Sequence, residues 1–245
     1  MDEPDHSITN TTVAVCDILG FRSLIREKPL RNLLDTDFAL FRKLLHFSLK
    51  QEDLPDLPPK LDELRNQDRV GFAWFSDTVL VYAKNDNDGS CQDVIETVQW
   101  LVFATLVTRT KIRAGIAYGE FLADPENEMF LGQAVVDAYE LEQSQEWVGA
   151  ALTPNAVGRL PADTYGWPLC EYEVPLKAKA RRECCGKLAV DWTLGIHDGF
   201  DSKWSPDKDL PDDDEDPSLV AKWRNTCSFH DAVCTGCFPK NRRRG

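Results

Sequence analysis

No apolar run in this 245-residue sequence reaches the roughly 20 residues that a helix needs to cross a bilayer. The first ten residues, MDEPDHSITN, are acidic and lack the apolar core of a signal peptide. Basic side chains are also scarce, 28 against 41 acidic ones, and the net charge of −13 disfavours non-specific binding to nucleic acid or an anionic membrane. We therefore expect a cytoplasmic protein with no membrane and no nucleic-acid partner.

The sequence does contain enough apolar material for a core, with 42% hydrophobic and 10% aromatic residues. Its length allows one large domain, or one domain with an extension. The eight cysteines of a cytosolic protein are expected to be thiols or metal ligands rather than disulfides.

Local patterns predict alternating strands and helices. In chain order these are a strand Thr11–Cys16 ending at Asp17, an amphipathic helix Asp35–Lys50, a Pro-rich loop at 52–68, two strands in Arg69–Tyr82 that meet at Ser76 and Asp77, an amphipathic helix Cys91–Arg109, a strand Lys111–Tyr118 ended by Gly119, a helix Leu131–Gln145 and a strand Val148–Leu152. The order predicts an α+β fold of the ferredoxin-like βαββαβ type, an antiparallel sheet with helices on one face.

The composition changes after about residue 200. SPDKDLPDDDEDPS at 205–218 is acidic and interrupted by prolines, which indicates a solvated loop, and Pro217–Val233 is a candidate helix. We predict a catalytic-type domain at 11–195 and a C-terminal extension at 196–245.

Two aspartates stand where the pattern predicts strands and core. Asp17 follows the first apolar run, and Asp77 lies inside WFSDTVLVYA at 74–83. An unpaired buried carboxylate costs several kcal/mol. Each acid should therefore lie at a tight turn, pair with a cation or hold a metal ion.

The predicted topology can bring both acids to one edge of the sheet. Two neighbouring carboxylates repel each other, and Mg²⁺ or Mn²⁺ with oxygen ligands relieves that repulsion. Gly20 leaves room for a phosphate to approach backbone amides, ahead of a helix that starts near Phe21. The alternative to a metal site is a purely structural role, in which Asp17 caps that helix and Asp77 closes a turn.

Four segments in sequence order resemble motifs of one family, the class III nucleotide cyclases. They are DILGF (17–21), FSDTVLV (75–81), KIRAGIAYGE (111–120) and FLGQAVVDAYELE (130–142). They are similar to the family's D-I-x-G-F motif, its second metal hairpin, its R-x-G-I-x-x-G strand and its W-G-x-x-V-N-x-A-x-R-L segment. The resemblance implies a class III cyclase domain that works as a homodimer, with active sites between antiparallel protomers.

The resemblance also implies a two-metal site. Asp17 and Asp77, together with the Ile18 carbonyl, would bind two Mn²⁺ or Mg²⁺ ions. The amides that would face the β- and γ-phosphates are those of Leu19, Gly20 and Phe21. A ribose 3′-hydroxyl would then attack the α-phosphate, giving a cyclic monophosphate and pyrophosphate.

Further substrate contacts follow from the same resemblance. Arg113 corresponds to the family's phosphate-binding arginine. EVPLKAK at 173–179 looks like the strand that carries a lysine for the terminal phosphate, and both Lys177 and Lys179 fit that role. Solvated lysines at a strand end are the alternative.

The sequence departs from the family at three places. The base-reading position holds Ala73 or Trp74 instead of the Lys or Glu of purine cyclases, and the acidic residue before W-G is missing. The family's asparagine and its transition-state arginine correspond to Val136 and Glu140. An inactive nucleotide-binding module and a divergent cyclase are both compatible with these changes.

Retention of Asp17, Asp77 and Arg113 favours the divergent enzyme. Aromatic residues such as Trp74 and Phe130 favour a narrow base pocket. In size and motifs the chain resembles the bacterial Pycsar pyrimidine cyclases of antiphage defence, lyases that make the second messengers cyclic UMP or cyclic CMP. We therefore predict a uridylate (or cytidylate) cyclase, with a purine cyclase or an inactive module as alternatives.

The tail contains one further candidate site. Its possible zinc ligands, in C-x2-H-x3-C-x2-C spacing, are Cys227, His230, Cys234 and Cys237. The middle spacing is short for a zinc finger, so free cytosolic thiols are the alternative. The basic end, Arg242–Arg244, is expected to be solvated.

Overall fold

The computed structural model describes residues 8–36, 38, 69–107, 110–164, 166–180, 182–193, 206 and 217–234. Its strands are β1 (Thr9–Leu19), β2 (Val70–Phe75), β3 (Thr78–Ala83), β4 (Lys111–Asp124), β5 (Met129–Leu131), β6 (Gly149–Leu152), β7 (Leu169–Glu171) and β8 (Leu188–Val190). Its α-helices are α1 (Phe21–Glu27), α2 (Leu30–Asp35), α3 (Asp88–Val107), α4 (Gln133–Ser144), α5 (Pro154–Arg159) and α6 (Pro217–Cys234).

The strand order is that of a ferredoxin-like sheet with additions at one side. The strands lie in the order β2-β3-β1-β4-β6-β8-β7, and β5 pairs with β4. β1 is antiparallel to both β3 and β4, and β2 is antiparallel to β3. These four strands with α1, α2 and α3 make the βαββαβ unit, so the predicted α+β fold is confirmed. The parallel β4–β6 pair joins the additional strands to it.

Two strands are longer than the sequence pattern predicts. β1 continues through Asp17 to Leu19, because its ladder with β4 extends to the pair Leu19–Lys111. β4 likewise continues past Gly119, which pairs with Thr11 in the same ladder. The predictions that these strands end at Asp17 and at Gly119 were wrong, since cross-strand pairing overrides a local stop signal.

Alternating side chains of the sheet supply two cores. The larger core contains Cys16, Val81 and Ile116 together with much of α3, while the smaller core contains Val15 and Tyr82. α4 covers the smaller core, with Ala134 and Ala138 against the sheet. Helices therefore lie on both faces, and the predicted single helical layer was wrong.

Helix α3 was predicted to be amphipathic, but the structure buries it on nearly all sides, so that prediction was wrong. Its apolar side chains Ile95, Leu101 and Leu106 are fully or almost fully buried, and so is the hydroxyl residue Thr105. The polar residues Asp93, Glu96 and Gln99 of α3 are buried as well, so the helix occupies an interior position. No helix in the described ranges is long and apolar enough to cross a membrane.

Helix α6, from the predicted extension, packs into the larger core. Trp223 and Phe229 are fully buried, and the Phe229 ring lies 4.8 Å from that of Trp147. The Val148 amide donates a hydrogen bond of 2.8 Å to the Thr226 hydroxyl. The backbone at the start of β6 is thereby tied to this helix.

Several predicted features lie outside the described residues. The helix Asp35–Lys50 is described only at Asp35, Thr36 and Phe38, and the loop at 52–68, most of the acidic loop at 205–218 and Arg242–Arg244 are not described.

Gly115 sets the distance between β4 and α4. A Cβ at this position would lie 2.1 Å from the Ala138 carbonyl oxygen and 2.8 Å from the Glu142 nitrogen. Gly115→Ala is therefore expected to lower the free energy of unfolding by about 1–3 kcal/mol or more, as overpacking does. Urea unfolding measures this change.

Gly158 on α5 provides the matched control, because a Cβ there meets nothing within 4 Å. Gly158→Ala is expected to stabilise the protein by about 0.5–1 kcal/mol. Equal effects of the two substitutions would contradict the close packing of α4 on β4.

Candidate functional site

The hairpin turn between β2 and β3 places Asp77 beside the end of β1. Phe75 pairs with Thr78, so the turn consists of Ser76 and Asp77 alone. Ser76 takes the left-handed conformation, with φ of 58°, that a glycine would usually supply in such a turn. The Ile18 amide donates a hydrogen bond of 2.8 Å to the Asp77 carbonyl.

Asp17 lies beside this turn, paired with Thr78 across the ladder. Its side chain is 21% exposed. Burial raises the pKa of the Asp17 carboxyl, Arg113 opposes that rise, and the nearby Asp77 adds to it. Asp17 and Asp77 are therefore neighbours at this end of the sheet, since Asp17 pairs with the residue that follows Asp77.

Arg113 on β4 is buried and occupied by protein partners. Its Nε and Nη2 lie 2.6 Å and 2.5 Å from Glu142 Oε1, and its Nη1 donates to the Gln145 carbonyl at 3.0 Å. Its Nη2 is also 3.7 Å from Asp17 Oδ2. Asp17 and Arg113 are direct cross-strand partners in the β1–β4 ladder, so the guanidinium lies beside Asp17. Its engagement with protein groups differs from the direct phosphate contact that the resemblance implies.

Glu142 is the residue that the sequence interpretation missed. It is fully buried on α4; burial raises the pKa of its carboxyl, and Arg113 opposes that rise. The sequence did contain a signal: Glu142 follows Ala134 and Ala138 at helical spacing, on the face that packs against the sheet. An acid on such a face requires a buried partner.

Gly20 makes the turn between β1 and α1. Its φ of 75° and ψ of 9° are left-handed values that glycine tolerates best. Its carbonyl accepts hydrogen bonds from Ser23 and Leu24, which starts the helix. Leu19 still pairs with Lys111 in the β1–β4 ladder. Phe21 is the first residue of α1, and the N–H groups of a first helical turn have no acceptor within the helix.

The structure separates the two candidate lysines. Lys177 is half-buried, donates to the Gln143 carbonyl at 2.5 Å and lies close enough to Asp17 to lower the pKa of that carboxyl. Lys179 is exposed in the following turn and is not among the groups that act on Asp17. Residues 173–179 form an irregular segment with one bridge, Leu176 to Gln145, rather than the strand that was predicted.

The two aromatic candidates for a base pocket lie on opposite faces of the sheet. Trp74 packs against Phe38 with ring centroids 5.7 Å apart, on the face of the larger core. Phe130 packs against Tyr82 at 5.7 Å, in the smaller core. Within one chain they therefore do not line the same pocket.

The indole N–H of Trp74 donates to the Ser76 carbonyl at 2.8 Å, which ties this ring to the hairpin turn. Val136 and Glu140, which the sequence resemblance aligns with an asparagine and an arginine, are both exposed on α4.

The residues of the predicted zinc site that are described lie on α6. Cys227, His230 and Cys234 belong to one continuous helix, and Cys234 Sγ lies 3.5 Å from His230 Nε2. Cys237 lies outside the described residues. Across the described ranges, no three His, Cys, Asp or Glu side chains are grouped suitably for a metal ion. Zinc at this helix therefore gains no support from the geometry.

Comparisons with known proteins return distant structural likenesses. No protein-family model matches the chain, and no curated protein matches it. The catalytic core of a rhodopsin-guanylyl cyclase with converted specificity is 16% identical, with a TM-score of 0.45 over 74% of this chain and 94% of that one. Adenylate cyclases of Trypanosoma brucei in their monomeric state are 12% identical, with a TM-score of 0.46 over 80% of this chain and 94% of that one.

The adenylate/guanylate cyclase/hydrolase of Silicibacter pomeroyi is 16% identical, with a TM-score of 0.44 over 75% of this chain and 95% of that one. Sequence identities and TM-scores this low do not assign a function. A functional assignment therefore depends on the residues of this chain.

Proposed function

We propose that this protein is a nucleotide cyclase, a lyase that converts a nucleoside triphosphate to its 3′,5′-cyclic monophosphate and pyrophosphate. The observation that carries the proposal is the meeting of Asp17 and Asp77, through the Ile18–Asp77 hydrogen bond, beside the Gly20 turn. Two acids, a sharp glycine turn and nearby cations are a combination suited to a metal-bound polyphosphate.

The donor set fits Mn²⁺ or Mg²⁺. Asp17 and Asp77 supply carboxylate oxygens, and the Ile18 carbonyl is directed to the same side as its N–H, toward the hairpin turn. These oxygen ligands are hard donors, which such ions prefer. Two bound ions would supply Lewis acidity, lowering the pKa of the ribose 3′-hydroxyl and neutralising the triphosphate.

The chain's own groups bind and orient the substrate. Lys177 and the amides at the Gly20 turn bind the phosphates, while Arg113, held by Glu142, keeps Asp17 in place. The 3′-oxygen forms a bond to the α-phosphorus as its proton passes to solvent water. The bond from that phosphorus to the oxygen bridging to the β-phosphate breaks, and pyrophosphate departs.

A pyrimidine triphosphate, UTP or CTP, is the substrate that we propose. Trp74 stands near the family's base-reading position and packs with Phe38, while Phe38 also contacts Phe21 at 5.7 Å. The Trp74 N–H already bonds to Ser76. The described residues of this aromatic surface, Phe21, Phe38 and Trp74, include neither the Lys nor the Glu that reads a purine base in the family that the sequence resembles, which favours a pyrimidine. A role in antiphage signalling follows from the sequence resemblance alone.

A homodimer would complete the site. Large apolar side chains are exposed on α4 and on neighbouring segments: Phe75, Met129, Leu131, Val136 and Tyr139. Exposed apolar groups of this kind are typical of protein–protein contacts. A second copy of the chain would cover them and could supply the missing transition-state cation in place of Glu140.

An inactive nucleotide-binding module is the second candidate, favoured by the exposed Glu140 at the family's arginine position. The test is incubation of the purified protein with each ribonucleoside triphosphate and Mn²⁺, with products identified by mass spectrometry. Cyclic UMP or cyclic CMP is the expected product. A cyclic purine would contradict the base assignment, and nucleotide binding without any product would favour the inactive module.

A further inference from the structure

The last turn of α6 carries an exposed cysteine, Cys234, to which the cyclase chemistry gives no role. The other cysteines in the described ranges are buried or half-buried. Burial raises the pKa of the thiols of Cys16, Cys91 and Cys185. Buried thiols of this kind are inert, whereas the exposed thiol of Cys234 is open to reagents in solution.

A histidine lies next to this thiol with an acceptor nitrogen toward it. Cys234 Sγ lies 3.5 Å from His230 Nε2, within reach of a hydrogen bond to sulfur. On the other side of the ring, His230 Nδ1 lies 3.4 Å from Asp231 Oδ1. Because a carboxylate only accepts hydrogen bonds, Nδ1 carries the ring hydrogen and Nε2 is left as the acceptor for the S–H group.

Packing holds the His230 ring in this orientation. The ring stacks on the fully buried Trp192, with centroids 6.1 Å apart and planes 18° apart. Trp192 in turn packs against Phe229 of the larger core, with centroids 5.6 Å apart. Only 13% of the His230 side chain is exposed. The base is therefore fixed in position, while the thiol beside it is accessible.

The place of the pair at the end of α6 determines how the thiol reacts. The carbonyl end of a helix favours an imidazolium and disfavours a thiolate. A permanent thiolate is therefore not expected. The proton instead passes from Cys234 Sγ to His230 Nε2 as the sulfur forms its new bond, which is nucleophilic attack assisted by an adjacent base that a third group orients.

We propose that Cys234 is a thiol-modification site, assisted by His230 and Asp231, that reacts with small-molecule disulfides. Cys234 Sγ bonds to one sulfur of the disulfide as its proton moves to His230 Nε2, and the S–S bond of the reagent breaks. The second sulfur leaves with the bonding electron pair and takes that proton from the imidazolium. Cys234 is thereby oxidised to a mixed disulfide, and the departing thiol is the reduced product. The site is independent of the proposed cyclase activity.

The test is reaction of the whole, reduced protein with glutathione disulfide, followed over time by mass spectrometry that locates the modified cysteine. Cys234 is expected to react at least about tenfold faster than Cys227, a half-buried cysteine of the same helix. His230→Phe keeps an aromatic ring against Trp192 and removes the base. It is expected to slow the modification of Cys234 at least about tenfold, since a positioned base contributes that much or more.

Ser228→Ala is the matched control, because the Ser228 hydroxyl is exposed on the same helix and donates to the Arg224 carbonyl. Its rate is expected to stay within about twofold of the starting protein. Asp231→Ala is a second variant that leaves the core packing intact, since its side chain is 77% exposed, and it is expected to slow the reaction about two- to fivefold. The proposal is overturned if another cysteine reacts first, or if Asp231→Ala and folded His230→Phe react as fast as Ser228→Ala.

Discussion

Asp77→Asn is expected to lower nucleotide-cyclising turnover at least about a hundredfold, because metal charge stabilisation is worth several kcal/mol and each 1.4 kcal/mol is tenfold in rate. The fold should survive the change. The structural contact of Asp77 is made by its backbone carbonyl, which accepts from Ile18 and is kept in asparagine. Loss of activity with an unchanged melting temperature is therefore the expected pattern.

The measurement combines initial rates of cyclic product formation with Mn²⁺ binding followed by electron paramagnetic resonance. Glu171→Gln, an exposed acid on β7, removes one negative charge elsewhere and should leave both properties unchanged. If Asp77→Asn kept its turnover and its Mn²⁺ affinity, Asp77 would be a turn residue only, as the alternative interpretation of the sequence holds.

Glu142→Ala is expected to lower the free energy of unfolding by about 3–5 kcal/mol, the usual cost of leaving a buried charge without its partner. Arg113, 4% exposed, would keep only the Gln145 carbonyl and the more distant Asp17 carboxylate. Urea unfolding followed by circular dichroism measures the loss. Glu140→Ala, on the exposed side of the same helix, should change stability by less than about 0.5 kcal/mol.

A double variant separates the stability role of this ion pair from its role at the site. Arg113→Met combined with Glu142→Leu removes both charges and is expected to recover much of the lost stability, as apolar replacements of buried pairs often do. Turnover should remain low, because Asp17 would have lost the guanidinium that lies 3.7 Å away. Full recovery of turnover would show that Arg113 and Glu142 only support the fold.

Much of the candidate site could be predicted because it depends on local signals. The hairpin at Ser76 and Asp77 followed from two adjacent apolar runs, and Gly20 followed from its place between a strand and a helix. The structure places both turns where predicted. Strand ends were less predictable, since the pairing of β1 with β4 carries β1 past Asp17.

Other parts could not be predicted because they depend on which distant residues meet. Trp74 and Phe130 lie on opposite faces since the strand register, rather than composition, decides where each ring points. Lys177 and Lys179 are two residues apart with similar neighbours in sequence. Only the packing of their segment against the end of α4 distinguishes them.

By itself the sequence determined the four strands β1 to β4 and the two sharp turns, at Ser76 and Asp77 and at Gly20. These features arise from backbone preferences and from apolar periodicity over a few residues. The tertiary structure decided that Glu142 is the partner of Arg113 and that Thr226 of α6 binds the backbone of Val148. The second of these contacts joins residues 78 positions apart, so it exists only once sheet register and helix packing bring the two segments together.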